Sequence, residues 1–387
     1  MSLTKKRSIQ VMAVTRPFGK INDWPTAAAA GVTCRIVDRL SPEAESRLTG
    51  FLSRGCDYSF MQHWSWPDLV GSTRIQRFRY LWCERQGEIL LSGVLRFTTL
   101  FPGRYLAFFP RGPVTRRVSD LEACLQPVMS TLRQSGVCTI LLNPRWEGAE
   151  AEAVRAVLAE HGFHEVERAN QSMYSATGVI ALDRSDDEIF AHFKSRCRRD
   201  IRASARAGLI VRRVTSEDHA RRFAEMYEAF VRLKQLDVAG KPRVMDQYHH
   251  IRRHGGAMQV AELDGQLVGG ITALREGARA TINIIASMPL TQNISRSYPM
   301  VWETARQAKS EGCRSLDLAG LPDENDADEG DRGRLLFKMA FNPDCVRLVP
   351  LHAAMLRPFS HALLYPMRQA YLRSPLRRHV APMLRRR

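Results

Sequence analysis

No apolar run in this 387-residue chain approaches the roughly 20 residues that a membrane-crossing helix needs, which argues against a helical span. The apolar stretch behind Lys5-Lys6-Arg7 is short and soon meets Arg16, so no secretory signal is expected. The eight cysteines show no Cys-x-x-Cys spacing. That pattern argues against a zinc site or a disulfide framework, and reduced thiols in a cytoplasmic protein are the expectation. His249, His250 and His254 have no carboxylate at useful spacing, so no metal site is expected there. The acidic stretch Asp323 to Glu329 lacks the alternating ligands and late glutamate of a calcium loop, and is expected to be a solvated loop. Negative charge is also scarce. Lys plus Arg number 57 against 40 acidic residues, a net charge of +17. From Leu351 to Arg387 there is no acidic residue at all, while Arg357, Arg368, Arg373, Arg377, Arg378, Arg385, Arg386 and Arg387 lie there. Such a chain favours polyanions: nucleic acid, phosphorylated substrates or an anionic membrane face.

What is present is ordinary for a globular protein, with 44% hydrophobic and 25% charged residues, and the length suits about two domains. Residues 1–30 form a leader ending near Pro25 and an alanine run. Tyr80–Cys83 and Ile89–Leu95 are expected to be strands of a hairpin turned at Arg85–Glu88, followed by a strand at Tyr105–Phe109. A helix over Leu121–Gln134, a strand at Thr139–Leu142 and a helix over Glu150–His161 capped by Gly162 come next. The same order recurs about 180 residues later. There a hairpin turns at Asp264-Gly265, a strand covers Ala280–Ala286, a helix covers Tyr298–Ser310, and a strand covers Ser315–Leu318. Hairpin, strand, helix, strand occurring twice implies two diverged copies of one mixed α/β domain, at 31–180 and 181–350, before a basic tail at 351–387.

Two segments carry candidate chemistry. Ile189 to Ala207 reads as one basic helix in which Arg198, Arg202 and Arg206 share a face. That face is either solvated or a phosphate contact, for which arginine's bidentate fork is suited. Near the other end, Gly333 to Phe341 places Lys338 in an apolar run. A lysine there either snorkels from an element's edge or is held to donate to an oxyanion formed in acyl transfer.

Five pieces in order resemble the Fem family of aminoacyltransferases. Gln62-His63-Trp64-Ser65-Trp66 resembles its Gln-x-x-x-Trp opening motif, and Pro110-Arg111-Gly112-Pro113 its Pro-Arg-Gly-Pro turn. Phe193 to Gly208 resembles the helix that opens the second domain, and Asn293–Trp302 with Leu316–Gly320 the helix–strand pair ahead of the catalytic loop. Leu336-Phe337-Lys338 with Phe341 resembles the closing motif. The resemblance implies a tandem pair of GNAT-like α/β domains with mixed sheets. It implies aminoacyl transfer from aminoacyl-tRNA to an amino group of a phosphorylated or lipid-linked peptidoglycan precursor, with no metal or redox cofactor. By carry-over, Lys338 steadies the oxyanion, Phe337 and Phe341 shape its pocket, and Gln62 and Trp66 belong to the substrate-binding set. Arg111, Arg198 and Arg202 are candidate phosphate contacts. Arg74 or Arg77 would replace a phosphate-binding lysine that the region after Trp66 lacks. Asp317 would orient the substrate amine, and a carboxylate among Asp323, Asp326 and Asp328 is a candidate proton acceptor. The long charged helical hairpin of some family members is missing, since Asp237–Lys241 is too short for it.

Two rivals stand beside this reading. One keeps the fold and takes acyl-CoA as donor, serving exopolysaccharide or lipid assembly. Such enzymes present a Gly-rich pyrophosphate loop that neither half shows; Ser287-Met288-Pro289-Leu290 occupies the place in the second half. The other is a non-enzymatic nucleic-acid module, which predicts aromatics interleaved with basic residues where this basic helix is alanine-rich. In the tail, Leu356, Phe359, Leu363, Met367 and Tyr371 fall at helical spacing, interrupted by Pro358 and Pro366. That tail either lies on an anionic membrane surface, giving a peripheral location at its inner face, or packs back on the first domain.

Overall fold

The computed structural model describes residues 31–55, 57–73, 75–167, 173–236, 243–292, 294–322 and 329–358. They form two compact units. The first draws on the described residues of 31–64, 72–175 and 348–358, the second on Ser65–Gly71 and Ala176–Arg347.

In the first unit β1 (Val32–Val37), β2 (Gln76–Arg85), β3 (Glu88–Phe101), β4 (Arg104–Phe109), β5 (Val114–Thr115), β6 (Val137–Leu142), β7 (His164–Glu165) and β15 (His352–Met355) make one mixed sheet. Its order is β1-β2-β3-β4-β6-β15-β7, with β5 beside β3. The hairpin expected at Arg85–Glu88 is tight because Gln86 and Gly87 both take positive φ, the combination that matches strand twist. Only β4 and β6 run parallel, joined by the crossover helix α3 (Val118–Gln134). α3 and α4 (Gly148–Glu160) bury Leu121, Leu125, Val128, Leu132, Val154 and Leu158 against Leu91, Leu95 and Phe109 of the sheet. α1 (Pro42–Ser53) starts on a Ser41 cap and packs Leu48, Phe51 and Leu52 with Trp82 and Ile89.

The second unit repeats the plan. β8 (Ala176–Ala181), β9 (Ile210–Arg213), β10 (Gly256–Leu263), β11 (Gln266–Glu276), β12 (Arg279–Ser287), β13 (Ser315–Gly320) and β14 (Asp344–Arg347) form a sheet ordered β14-β8-β13-β12-β11-β10-β9. Asp264 and Gly265 both take positive φ in the β10–β11 turn. β12 and β13 are the parallel pair, crossed by α9 (Ser297–Ser310). Met300, Val301, Ala305 and Ala308 of α9 enter one core with α5 (Asp186–His192) and α6 (Ser195–Arg206). α7 (Glu217–Leu233) and α8 (Val244–His254) bury Phe223, Val244 and Tyr248 in another, while α2 (Trp66–Val70) belongs to this unit. α10 (Glu329–Met339) completes it.

Three expectations are corrected. The single basic helix over Ile189–Ala207 is two helices. Ser185 and Glu188 form a capping box that starts α5, Phe193 turns extended, and the Lys194 amide donates to Ala340 O at 3.0 Å instead of continuing the spiral. The cysteines are not all reduced, because Cys34 and Cys83, directly opposed across β1 and β2, are joined in a disulfide. The segment from 351 does not begin as a free tail: β15 inserts between β6 and β7. Most of the helical spacing read in that tail, like the leader, lies outside the described residues.

Candidate active site

β12 and β13 pair over only three residues, Arg279–Thr281 with Ser315–Asp317. Beyond that point β13 keeps to β8, and the register slips between Asp317 and Gly320. Asp317 builds the slip. Its buried carboxylate accepts hydrogen bonds from the Thr177 hydroxyl and, at 2.7 Å, from the Ala319 amide. Ala319 is thereby held at φ +63°, a left-handed conformation rare for a residue with a Cβ. The kink leaves the Gly320 carbonyl to accept from the Lys338 Nζ at 2.7 Å.

Lys338 lies in the last turn of α10, half-buried. Burial pushes its pKa down to about 8, against the opposing pull of the Asp317 carboxylate, while Arg334 lowers it further. Gly320 takes one of the three N–H donors that an ammonium carries. Beside it Phe337 stacks on Tyr298 at 5.4 Å with rings 6° apart, and both meet Phe341 edge-on at 5.6 and 5.5 Å. Burial also raises the Tyr298 pKa, so its phenol stays protonated at neutral pH. Phe341 meets Phe193 at 5.2 Å, and Phe193 meets Trp302 at 5.5 Å.

The structure brings Lys338, Asp317 and Phe337 into one neighbourhood of the second unit. Other expected site residues have different work. Phe341 is fully buried, so it supports Phe337 from below and does not line a pocket. The Arg198 guanidinium donates to the Phe193 carbonyl and, at 2.7 Å, to that of Ala191, capping the end of α5. Arg202 is exposed over the Phe190 ring at 5.1 Å and keeps an outward charge.

In the first unit Gln62 is 1% exposed, and its amide is committed to backbone: it donates to Val94 O (3.2 Å) and Pro110 O (2.7 Å) and accepts from the Val94 amide (3.0 Å). Gly112 is obligatory over it, since a Cβ there would stand 2.3 Å from Gln62 Cδ. Gln62 is therefore a clamp on the Pro110–Pro113 turn and not a substrate contact. Arg111 is also buried; its amide donates to Asn143 Oδ1 at 2.8 Å and its guanidinium to Tyr174 O at 2.6 Å. Trp66 is buried in the second unit, Arg77 is exposed on β2, and Arg74 and the acidic loop 323–328 lie outside the described residues. Sequence reading missed Thr177 and Tyr298 as site residues. Neither carries a motif of its own, and each is recognised by what it touches. Among the described residues no group of three metal-ligating side chains assembles.

In sequence, residues 191–329 match the family described as acetyltransferase (GNAT) domain. That stretch lies within the second unit. The match stops where α10 begins, so Lys338 lies outside it. No curated protein matches the chain. Among solved structures, FemX is 14% identical with a TM-score of 0.71, over 85% of this chain and 99% of that one. The C-terminal domain (DUF2156) of a putative lysylphosphatidylglycerol synthetase from Agrobacterium fabrum is 12% identical, TM-score 0.53, over 81% and 92%. L-PGS from Bacillus licheniformis is 12% identical, TM-score 0.52, over 90% and 98%. At such identities the likeness is one of fold, and it extends past the GNAT domain to both units: the chain has the tandem, Fem-like architecture expected from its motifs.

Proposed function

We propose that the protein is a Fem-like aminoacyltransferase, moving an aminoacyl group from aminoacyl-tRNA to an amino group of a cell-envelope precursor at the inner membrane face. The observation that carries this reading is the Lys338 amine, anchored by one hydrogen bond to Gly320 just past the point where the β12–β13 pairing ends.

The acceptor amine attacks the ester carbonyl, forming a C–N bond and a tetrahedral oxyanion. The Lys338 ammonium donates to that oxyanion with its remaining N–H groups, at an atom where charge develops only in the transition state. The intermediate then collapses, the ester C–O bond breaks, and the proton lost by the amine ends on the departing ribose oxygen. Asp317 acts at one remove: it keeps Ala319 left-handed, so Gly320 holds the lysine, and its charge favours the ammonium. Aminolysis of an activated ester needs positioning and charge stabilisation, with no metal or redox cofactor. The +17 charge suits tRNA and a diphosphate-linked acceptor.

A second reading, an acyl-CoA donor, draws on the GNAT match itself. The sequence from Ser287 to Arg296 offers no glycine series for the pyrophosphate, which favours tRNA. Purified protein incubated with labelled aminoacyl-tRNA or labelled acyl-CoA and an envelope-precursor extract decides between them. Label is expected to move from tRNA, and Lys338→Ala to slow it by about 10²–10³-fold, the usual cost of losing one oxyanion donor. Transfer from CoA alone would replace the donor, and an unslowed Lys338→Ala would remove the oxyanion role.

A further inference from the structure

One end of the first sheet combines features that acyl transfer does not use. Directly opposed residues of an antiparallel pair point the same way. Arg77 stands opposite Phe97, Arg79 opposite Leu95, and Thr99 opposite Tyr105, while the Thr99 amide donates to Ile75 O at 2.9 Å. Ile75, Arg77, Arg79, Phe97, Thr99 and Tyr105 therefore share a face, and past the bulge after Thr99 the strand ends at Phe101, opposite Arg104, beside the Pro102-Gly103 turn. Further along, α3 covers that face with Leu125, Val128 and Leu132. Where α3 ends, a cavity of about 250 Å³ remains, lined by Arg77, Arg79, Phe97, Thr99 and Tyr105 and closed on one side by the Pro102-Gly103 turn. Arg79 is braced: its guanidinium lies 4.8 Å above the Phe97 ring and donates to Asp38 at 2.6 Å. Arg77 is exposed. At the rim Ile75 is 41% and Phe101 55% exposed, two of the six large apolar side chains that the described residues leave in water.

We propose that this end of the first sheet docks on an anionic phospholipid bilayer. Arg77, with Arg79 behind it, meets headgroup phosphate, and the Ile75 and Phe101 side chains enter the boundary between headgroups and acyl chains. A soluble phosphate would need the arginines alone. Two apolar side chains held in water beside them have a use only where an apolar phase adjoins a layer of anions. The +17 net charge draws the whole chain to such a surface. A nucleic acid fits less well, because the exposed Ile75 side chain beside Arg77 gives a base no ring to stack on and a phosphate nothing to bind. The proposal rests on the membrane half of the function above by naming its contact surface, and it is independent of the donor.

Flotation of the full chain with vesicles tests it without any transfer assay, so its failure and that of the acyl-transfer reading are separable. The protein is expected to rise with vesicles of equimolar phosphatidylglycerol and phosphatidylcholine, and not with phosphatidylcholine alone. Arg77→Gln should weaken partitioning about five-fold, the share of one basic residue at an anionic surface, and Phe101→Ser by about as much or more. Arg232→Gln removes the same charge from an exposed place on α7 and should stay within about two-fold of the parent. Melting curves check that each variant is folded. The proposal fails if the parent stays behind, if Arg77→Gln and Phe101→Ser float like the parent, or if Arg232→Gln loses as much. It also fails if calorimetry finds inorganic phosphate binding at Arg77 without vesicle binding, or if the parent prefers RNA and the Arg77 variant loses that instead.

Discussion

The two units are built on one plan and differ where their parallel strands meet. In the first, β4 and β6 stay paired from Tyr105 to Phe109, and the chain leaving Phe109 is pinned at once by Gln62 and Asn143. In the second, β12 and β13 separate after Thr281, and a carboxylate, a left-handed alanine and a lysine hold the end of β13. The same topology yields a closed joint in one unit and an open one in the other. Ladder hydrogen bonds satisfy the first; in the second, the Asp317 carboxylate and the Lys338 amine take over for backbone groups past the pairing. A repeated fold can thus divide labour by how far one pair of strands is zipped.

Truncating one residue in each joint should separate the roles of the two. Gln62→Ala removes three buried hydrogen bonds and leaves a void under Gly112, so a loss of about 3 kcal/mol in unfolding free energy is expected. Transfer per folded molecule should hardly change, in contrast to Lys338→Ala. Denaturant melts and rates measured together check it; a Gln62 variant that is stable but inactive would place the first joint in the chemistry.

A smaller effect should separate Asp317 from Lys338. The lysine must be an ammonium to donate, and its pKa near 8 means that the active form is lost as pH rises through that value. Asp317 holds that pKa up, so Asp317→Asn should move the alkaline limb of the rate profile to lower pH and lower the rate about ten-fold. An unmoved limb would mean that Asp317 serves structure alone.

The smallest expected effect lies away from the joint, on α8. His250 is buried, shares a 3.3 Å hydrogen bond with the Ser65 hydroxyl and lies 4.7 Å from the His254 ring. Burial, and then His254, push its pKa down to about 4. A depressed pKa favours the neutral form, so stability is full above the ordinary histidine value and declines as pH falls from there toward 4. The melting temperature should drop over that window, and less so in His250→Gln; equal slopes would exclude His250 as the cause.

Much of the fold was legible because local signals were strong. Asp264-Gly265 and Gln86-Gly87 mark hairpins by the φ they permit, and the recurrence of hairpin, strand, helix and strand revealed two domains. What stayed hidden was non-local. Cys34 and Cys83 are 49 residues apart, and only the β1–β2 register opposes them. An arginine on a basic helix looks the same in sequence whether it reaches solvent, as Arg202 does, or turns back to cap α5, as Arg198 does. Lys338 was conspicuous as a charge in an apolar run. Thr177, which helps fix it through Asp317, lies 140 residues from its partner and leaves no trace in composition.

The strand β15 has a consequence for synthesis on the ribosome. It pairs with β6 on one side and carries β7 on the other, so the first sheet lacks its tie between them until residues 352–355 have emerged. The second unit is complete in sequence at Arg347, a few residues earlier. Folding domain by domain from the N-terminus is the common order for such chains. Here the unit begun first is finished last, and a nascent chain released just short of β15 would carry the second unit whole and the first unfinished.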